Sequence, residues 1–337
     1  MRALQAAAPW GADNLKVAEL PDPTPGAGQV LVRMKTVSLN FRDLLMINGM
    51  YGRGSTDTKD VITPFSDGCG IVEAIGPGVN RVAVGDRVAS LFFQNWTSGR
   101  PTLEKLSSAL GFPIPGAGRE LAVFSQEGVS KVPDFLTDQQ VATLPCAALT
   151  AWRGLFEDAD LEPGDTVVLQ GTGGVSIFGL QFAKAAGYRT IITSSSDEKL
   201  ERARALGADH LINYKTTPEW GRAVREIAPD GADFIMEVGG GGTIQQSLRA
   251  VRIGGHIAVI GVVAGAGDIN PAVLIGNSAR LQGLSVGSRE MFEAMCRAIE
   301  LHRISPVVDK VFPWTEAKTA FAAMAAGEHF GKIVLEF

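Results

Sequence analysis

The stretch that decides the fold is "VVLQGTGGVSIFG", Val167 to Gly179. An apolar run as long as a buried strand meets three glycines and then apolar residues at helical spacing. Such a turn leaves backbone N–H groups free and pointing one way, and together with the helix dipole they favour an anion. Gly171 permits the tight turn and Gly173 lets a pyrophosphate approach the backbone, while Thr172, Gly174 and Val175 complete the candidate cradle. Ser176 stands at the position of the usual third glycine and is small enough to keep helix and strand close. Taken alone, the pattern also describes a tight strand-to-helix turn with no ligand. Its setting, strand–turn–helix–strand within about thirty residues, is that of a dinucleotide motif.

Outward from this turn the texture keeps alternating. "RTIITSSS" reads as a strand and "DEKLERARAL" as a helix stopped by Gly207; "HLINY", a helix around "EWGRAVREIA", "GADFIMEVGG", a helix around "TIQQSLRAV" and "GHIAVIGV" follow. Strands alternating with helices of about ten residues predict an α/β fold with a doubly wound parallel sheet of the Rossmann type, residues 147–288. The chain before it is β-rich: "QVLVRMKTVSL" alternates as a half-buried strand, and "CGIVEAIGPGVNRVAVGDRVASL" holds two short strands set apart by turn residues. The tail from Arg289 reads as two amphipathic helices and a closing strand, "GKIVLEF", that returns to the first domain, which thus comprises residues 1–146 and 289–337.

The second strand of the series bears on cofactor choice. NAD sites place an Asp or Glu about twenty residues past the glycines, on the ribose 2′-OH. Here the tip carries Ser194, Ser195 and Ser196, and Lys199 lies one turn into the next helix. Hydroxyls and a cation suit a 2′-phosphate, so NADPH is the expected cofactor. The same serines also suit helix capping, and the two roles are compatible.

A net charge of −5 gives no basic excess for nucleic acid. No apolar run reaches the length of a membrane span, and Pro9 and Asp13 come too early for a secretory signal, so the cytoplasm is the expected compartment, with neither nucleic acid nor membrane as partner. Cys69, Cys146 and Cys296 lie far apart with no CxxC pair, which excludes a disulfide framework or zinc knuckle. The four histidines share no short segment with a nucleophile and an acid, so no hydrolase triad is written here.

The β-rich opening, "PGAGQVLVRMKTVSLNFRDLL", "LPCAALTAWRGLF", the cofactor repeat with "LGADHLINY", and "GKIVL" together resemble the medium-chain dehydrogenase/reductase superfamily over nearly the whole chain. The likeness is to its quinone oxidoreductase and enoyl reductase branches, and it implies a GroES-like catalytic domain for the β-rich part. In the zinc-dependent members of the superfamily, Cys, His, Glu and a second Cys stand where this chain has Asn40, Ser66, Asp67 and Cys146. The four-cysteine structural zinc loop is replaced by "NWTSGRPTLEKLSSALGFPIPGAG". The resemblance therefore implies no metal, because one thiol and one carboxylate fall short of a tetrahedral set. Without a Lewis acid the acceptor must be electrophilic already: a quinone or an α,β-unsaturated carbonyl, taking hydride from NADPH.

By the same resemblance Asn40 donates to the developing oxyanion and Asp43 positions a neighbour or a water. Both also read as a capped helix start, with Asn40 ending a strand and "FRDLLMI" opening a helix. Arg42 between them is a candidate for a structural ion pair. Thr150 resembles a residue that approaches the nicotinamide, and Tyr214 one near the adenosine phosphate. Gly261 and Val262 begin a loop expected beside the nicotinamide, and Lys332 resembles a residue of the cofactor cleft, although a solvated lysine beside a strand is the plainer reading. The aromatic insertion between Phe92 and Gly118 suits either a substrate pocket or a surface loop. "RLQGLSVGS" resembles an edge strand through which relatives dimerise, so a homodimer is expected.

Overall fold

Thr166–Gln170 is buried at every position, as a strand covered on both faces must be, and it lies at the centre of a six-stranded sheet. In the computed structural model, which describes residues 1–51 and 61–337, the chain divides into two units. One is Thr150–Ser285; the other joins Met1–Leu149 to Val286–Phe337.

In the first of these units all neighbouring strands run parallel. The order across the sheet is His210–Asn213, Arg189–Ser194, Thr166–Gln170, Ala232–Glu237, Val251–Val259 and Arg280–Gly283. The chain steps outward one way from Thr166–Gln170 and then the other way, which is the doubly wound topology. Its switch point lies between Thr166–Gln170 and Ala232–Glu237, where such folds bind ligands at the carboxyl ends of the strands. Val168, Ile191, Ile212, Ile235 and Ile257, one from each of five strands, pack against Trp220, Val224, Ile244 and Leu248 of two covering helices. Each such side chain contributes about 1.5–3 kcal/mol by leaving water.

The other unit is built on Gln29–Ser38, whose alternating residues Val30, Val32 and Met34 are buried. It pairs antiparallel with Asp67–Ile75, Leu121–Ser125 and Lys332–Glu336. The closing strand therefore does return to this unit. The tail also holds a strand with no sequence signal, Val308–Pro313, parallel to Lys332–Glu336. It has no fully buried face, so no two-residue period marks it. Because Val334 faces Ser38 in an antiparallel register, Lys332 falls opposite Asn40, just past the end of the strand.

The Phe92–Gly118 insertion is part core and part surface: its two ends are buried, while residues 98–104 are exposed. Phe92, Phe93 and Trp96 are buried against one another. Arg42 lies over the Phe92 ring and donates to the carbonyls of Leu110 (2.7 Å) and Phe112 (3.4 Å); among the described residues it forms no ion pair of the kind considered for it.

Candidate active site

In the doubly wound unit Gly171–Val175, Ser194, Ser195, Tyr214, Gly261 and Val262 lie at or just past the carboxyl ends of strands, while Thr150 and Lys199 lie in helices. Gly171 has φ +72°, a left-handed conformation that favours glycine, and its N–H donates to Thr193 Oγ1. Gly173 caps the 12-residue helix Gly174–Ala185, and Ser176 Oγ donates back to the Gln170 carbonyl at 2.5 Å. A Cβ built on Gly171 or Gly173 meets nothing within 4 Å, so the turn faces open space. The first N–H groups of a helix have no intrahelical partner. Open glycine backbone beside such groups fits a pyrophosphate.

Ser194 is buried at the end of its strand, its Oγ accepting the Ser196 N–H and its carbonyl accepting the Tyr214 N–H. Ser196 accepts the Lys199 N–H as the cap of Asp197–Ala205. The capping role of the serine tip is thus realised, with Ser195 half-buried beside it and Tyr214 41% exposed on the neighbouring strand end. Asp197 accepts from Asn213 Nδ2 at 2.7 Å, so the first carboxylate past the tip is tied to the next strand. Thr150 is buried in the short helix Leu149–Trp152. Gly261 follows Val251–Val259 so closely against Val238 that a Cβ would lie 2.7 Å from its carbonyl oxygen, and Val262 is exposed.

Sequence reasoning missed Glu237. This carboxylate is fully buried and takes hydrogen bonds from Gln170 Nε2 (2.7 Å), the N–H groups of Gly239 and Gly240 (2.9 Å each), Thr243 Oγ1 and Ser247 Oγ. It shapes the glycine loop at the switch point. The available signal was an acid closing the apolar run Phe234–Met236 shortly before four glycines, "FIMEVGGGG".

In the β-rich unit, Asn40 lies two residues past the strand Gln29–Ser38 and caps the helix Phe41–Ile47. Asp43 serves this structure: its Oδ2 accepts the Asn40 N–H at 2.8 Å and its Oδ1 the Phe65 N–H at 3.2 Å. Burial pushes its carboxyl up to about 6, against the pull of Arg42. Lys332 is not a solvated surface lysine. It is 4% exposed; burial pulls its pKa below the usual lysine range against the opposing pull of Asp67, and its Nζ donates to the Leu39 carbonyl and to Asn40 Oδ1, the latter at 2.7 Å. Asp67 accepts from Ser66 Oγ (2.6 Å) and from the Cys146 N–H (3.1 Å), and it draws Lys332 electrostatically. Burial and then Asp67 push the Cys146 thiol well up. The buried Asn40 Nδ2 interacts with the Asp67 carboxylate and favours its charged form, although among the described residues none stands in full hydrogen-bond geometry to it.

These donors do not fit tetrahedral zinc. Asn40 and Ser66 replace two ligand types, both Asp67 oxygens are already engaged, and Lys332 Nζ stands beside the set. Among the described residues no group of three or more His, Cys, Asp or Glu is placed to hold a metal ion, and no helix is long and apolar enough to cross a membrane.

Residues 174–300 match the zinc-binding dehydrogenase family model, and residues 26–134 the alcohol dehydrogenase GroES-like domain. A zinc-type alcohol dehydrogenase-like protein of Schizosaccharomyces pombe is 42% identical, over 97% of this chain and 96% of that one. A solved NAD-dependent alcohol dehydrogenase is 31% identical with TM-score 0.90, covering all of both chains. Two mycobacterial structures, one complexed with NADPH and one of a quinone oxidoreductase, are each 27% identical with TM-scores 0.85 and 0.82, again covering all of both chains.

Proposed function

This chain belongs to the medium-chain dehydrogenase/reductase superfamily of oxidoreductases, and we propose that it reduces quinones or α,β-unsaturated carbonyls with NADPH and without a metal. The observation that carries this reading is the buried Lys332 Nζ donating to Asn40, in a site where a metal would need anionic or imidazole donors.

The glycine turn at Gly171–Val175 takes the pyrophosphate on its N–H groups, with Thr172 at its wall. Ser194 and Ser195 with Lys199 receive the 2′-phosphate, Tyr214 flanks the adenosine phosphate, and Thr150, Gly261 and Val262 border the nicotinamide. NADPH, once bound, supplies the hydride. The acceptor spreads the incoming charge over a hydroquinone or enolate system, Asn40 Nδ2 donates to its oxygen, and water provides the proton that completes the reduction. Asp43 holds Asn40 and the helix start in place. The protein works in the cytoplasm, as a homodimer joined through the edge strand Arg280–Gly283, which pairs on one side only within the sheet.

A second reading, an alcohol dehydrogenase with a rebuilt metal site, draws on Cys146 and Asp67, which retain ligand chemistry, and on the zinc-type name of the yeast relative. A cofactor-binding protein without turnover is the reading from another class. One experiment separates all three: oxidation of NADPH and of NADH with 1,4-benzoquinone, an enone, a simple ketone and no acceptor, with the metal content of the same sample measured. Oxidation by the enone or quinone in metal-free protein, with NADPH bound more tightly than NADH, is expected. Zinc-dependent turnover of a simple ketone or its alcohol overturns the proposal, and no oxidation above background leaves the binding protein.

A further inference from the structure

Glu237 holds more than its own loop. Its strand, Ala232–Glu237, and the neighbouring Thr166–Gln170 end side by side at the switch point, and their last side chains act together. Gln170 Oε1 accepts the Val238 N–H at 3.3 Å, and Glu237 Oε1 accepts the N–H groups of Gly239 and Gly240 at 2.9 Å each. Three successive backbone N–H groups thus close on the protein's own amide and carboxylate, as such a run closes on a bound anion. All the donors to this fully buried carboxylate are neutral, and any it gave up would leave charge uncompensated, so the network favours one arrangement.

With those N–H groups turned inward, the carbonyls of the same stretch take up the loop that follows Val251–Val259. Glu237 O accepts the Ile260 N–H (2.8 Å), Val238 O the Val263 N–H (3.2 Å) and Gly239 O the Ala264 N–H (2.7 Å). In return the Gly241 N–H donates to the Gly265 carbonyl at 2.8 Å. The backbones approach so closely that a Cβ on Gly241 would stand 2.3 Å from the Ala266 carbonyl. Gly261 and Val262 lie inside the stretch held this way. Ser194, Ser195 and Tyr214, at the tips of other strands, make no hydrogen bond to either loop among the described residues.

We propose that Glu237 is a positioning residue for the nicotinamide end of the cofactor: it fixes loop 238–241, and through it the loop 260–265 that carries Gly261 and Val262. This rests on the reading that those two residues border the nicotinamide. It gives Glu237 no contact with the cofactor and no part in holding the adenosine end.

The test compares Glu237→Gln and Gly241→Ala with wild type. The first turns an acceptor into a donor. The second leaves Glu237 intact and forces the two loops apart, which keeps the inference testable should the first not fold. Three quantities are read: binding of NADPH, binding of 2′,5′-ADP, which is its adenosine end alone, and amide hydrogen exchange in the cofactor-free protein. Both variants should bind NADPH about tenfold more weakly, the loss of one or two hydrogen bonds at the nicotinamide end, with 2′,5′-ADP held as in wild type. Exchange at Ile260, Val263 and Ala264 should quicken, while exchange in Arg189–Ser194 stays unchanged. Equal weakening of both ligands marks a general loosening and overturns the inference. So does wild-type NADPH affinity in a folded Glu237→Gln or Gly241→Ala, or unchanged exchange at those three amides. These results strike the inference alone. If wild type itself binds NADPH no more tightly than 2′,5′-ADP, the loop does not border the nicotinamide, and the functional reading fails first and takes the inference with it.

Discussion

Gly173→Val separates a phosphate cradle from a bare turn, because it should spare the fold and damage the ligand site. Gly173 has φ −78° and ψ 179°, extended backbone that valine adopts freely, and a Cβ there meets no atom within 4 Å. The change to stability is therefore small, within about 1 kcal/mol, since the loss of unfolded-state freedom works in its favour. A pyrophosphate seated on the turn would be pushed outward by the new methyl groups. Losing two charge-assisted N–H contacts, each about 1.5–3 kcal/mol, costs about 3 kcal/mol or more. At about 1.4 kcal/mol per tenfold, NADPH binding should weaken at least about a hundredfold. Fluorescence titration of NADPH, paired with a urea unfolding curve, reads both quantities. NADPH affinity within about threefold of wild type in a normally stable variant refutes the cradle.

Gly171→Ala has the opposite signature: there is open space for the methyl, but φ is +72°, so unfolding should come about 1–2 kcal/mol easier, as seen in the urea midpoint. Glu237→Gln places an amide NH2 against either the Gly239 and Gly240 N–H groups, which cannot accept, or the Gln170 amide, which could accept only by flipping and giving up the Val238 N–H and Ser247 hydroxyl. A loss of about 3 kcal/mol is expected, and a change below about 0.5 kcal/mol in denaturant unfolding would show that the loop does not depend on this carboxylate. Burial and Arg280 push His256 down to about 4 from an ordinary 6.5, so the native state refuses a proton that the unfolded chain accepts. Stability from this group is complete above pH 6.5, falls as pH drops towards 4 and levels below that. The unscreened shift corresponds to about 3 kcal/mol, and solvent near the ring reduces it to about 1–2 kcal/mol. His256→Gln should flatten that part of the pH–stability curve, and an unchanged slope would count against it.

Much of the doubly wound unit was legible by itself. "VVLQGTGG" states a buried strand, a turn that needs positive φ and a helix start, and these are local properties: hydrophobic period, glycine conformation, capping. Ser196 as a helix cap and Asn40 as the cap before "FRDLLMI" were likewise written in neighbouring residues. What local signals cannot state is which distant residues meet. Glu237 gathers its donors from residues 170 to 247, and the half-buried strand Val308–Pro313 owes its existence to a partner rather than to its own pattern. The clearest case is Lys332, 292 residues from Asn40. By sequence it is a lysine beside a strand, which water would ordinarily claim. Only the register of Lys332–Glu336 against Gln29–Ser38 brings its Nζ to the Asn40 carboxamide, because strand pairing is decided by tertiary hydrogen bonds and burial, not by the residues that happen to flank it.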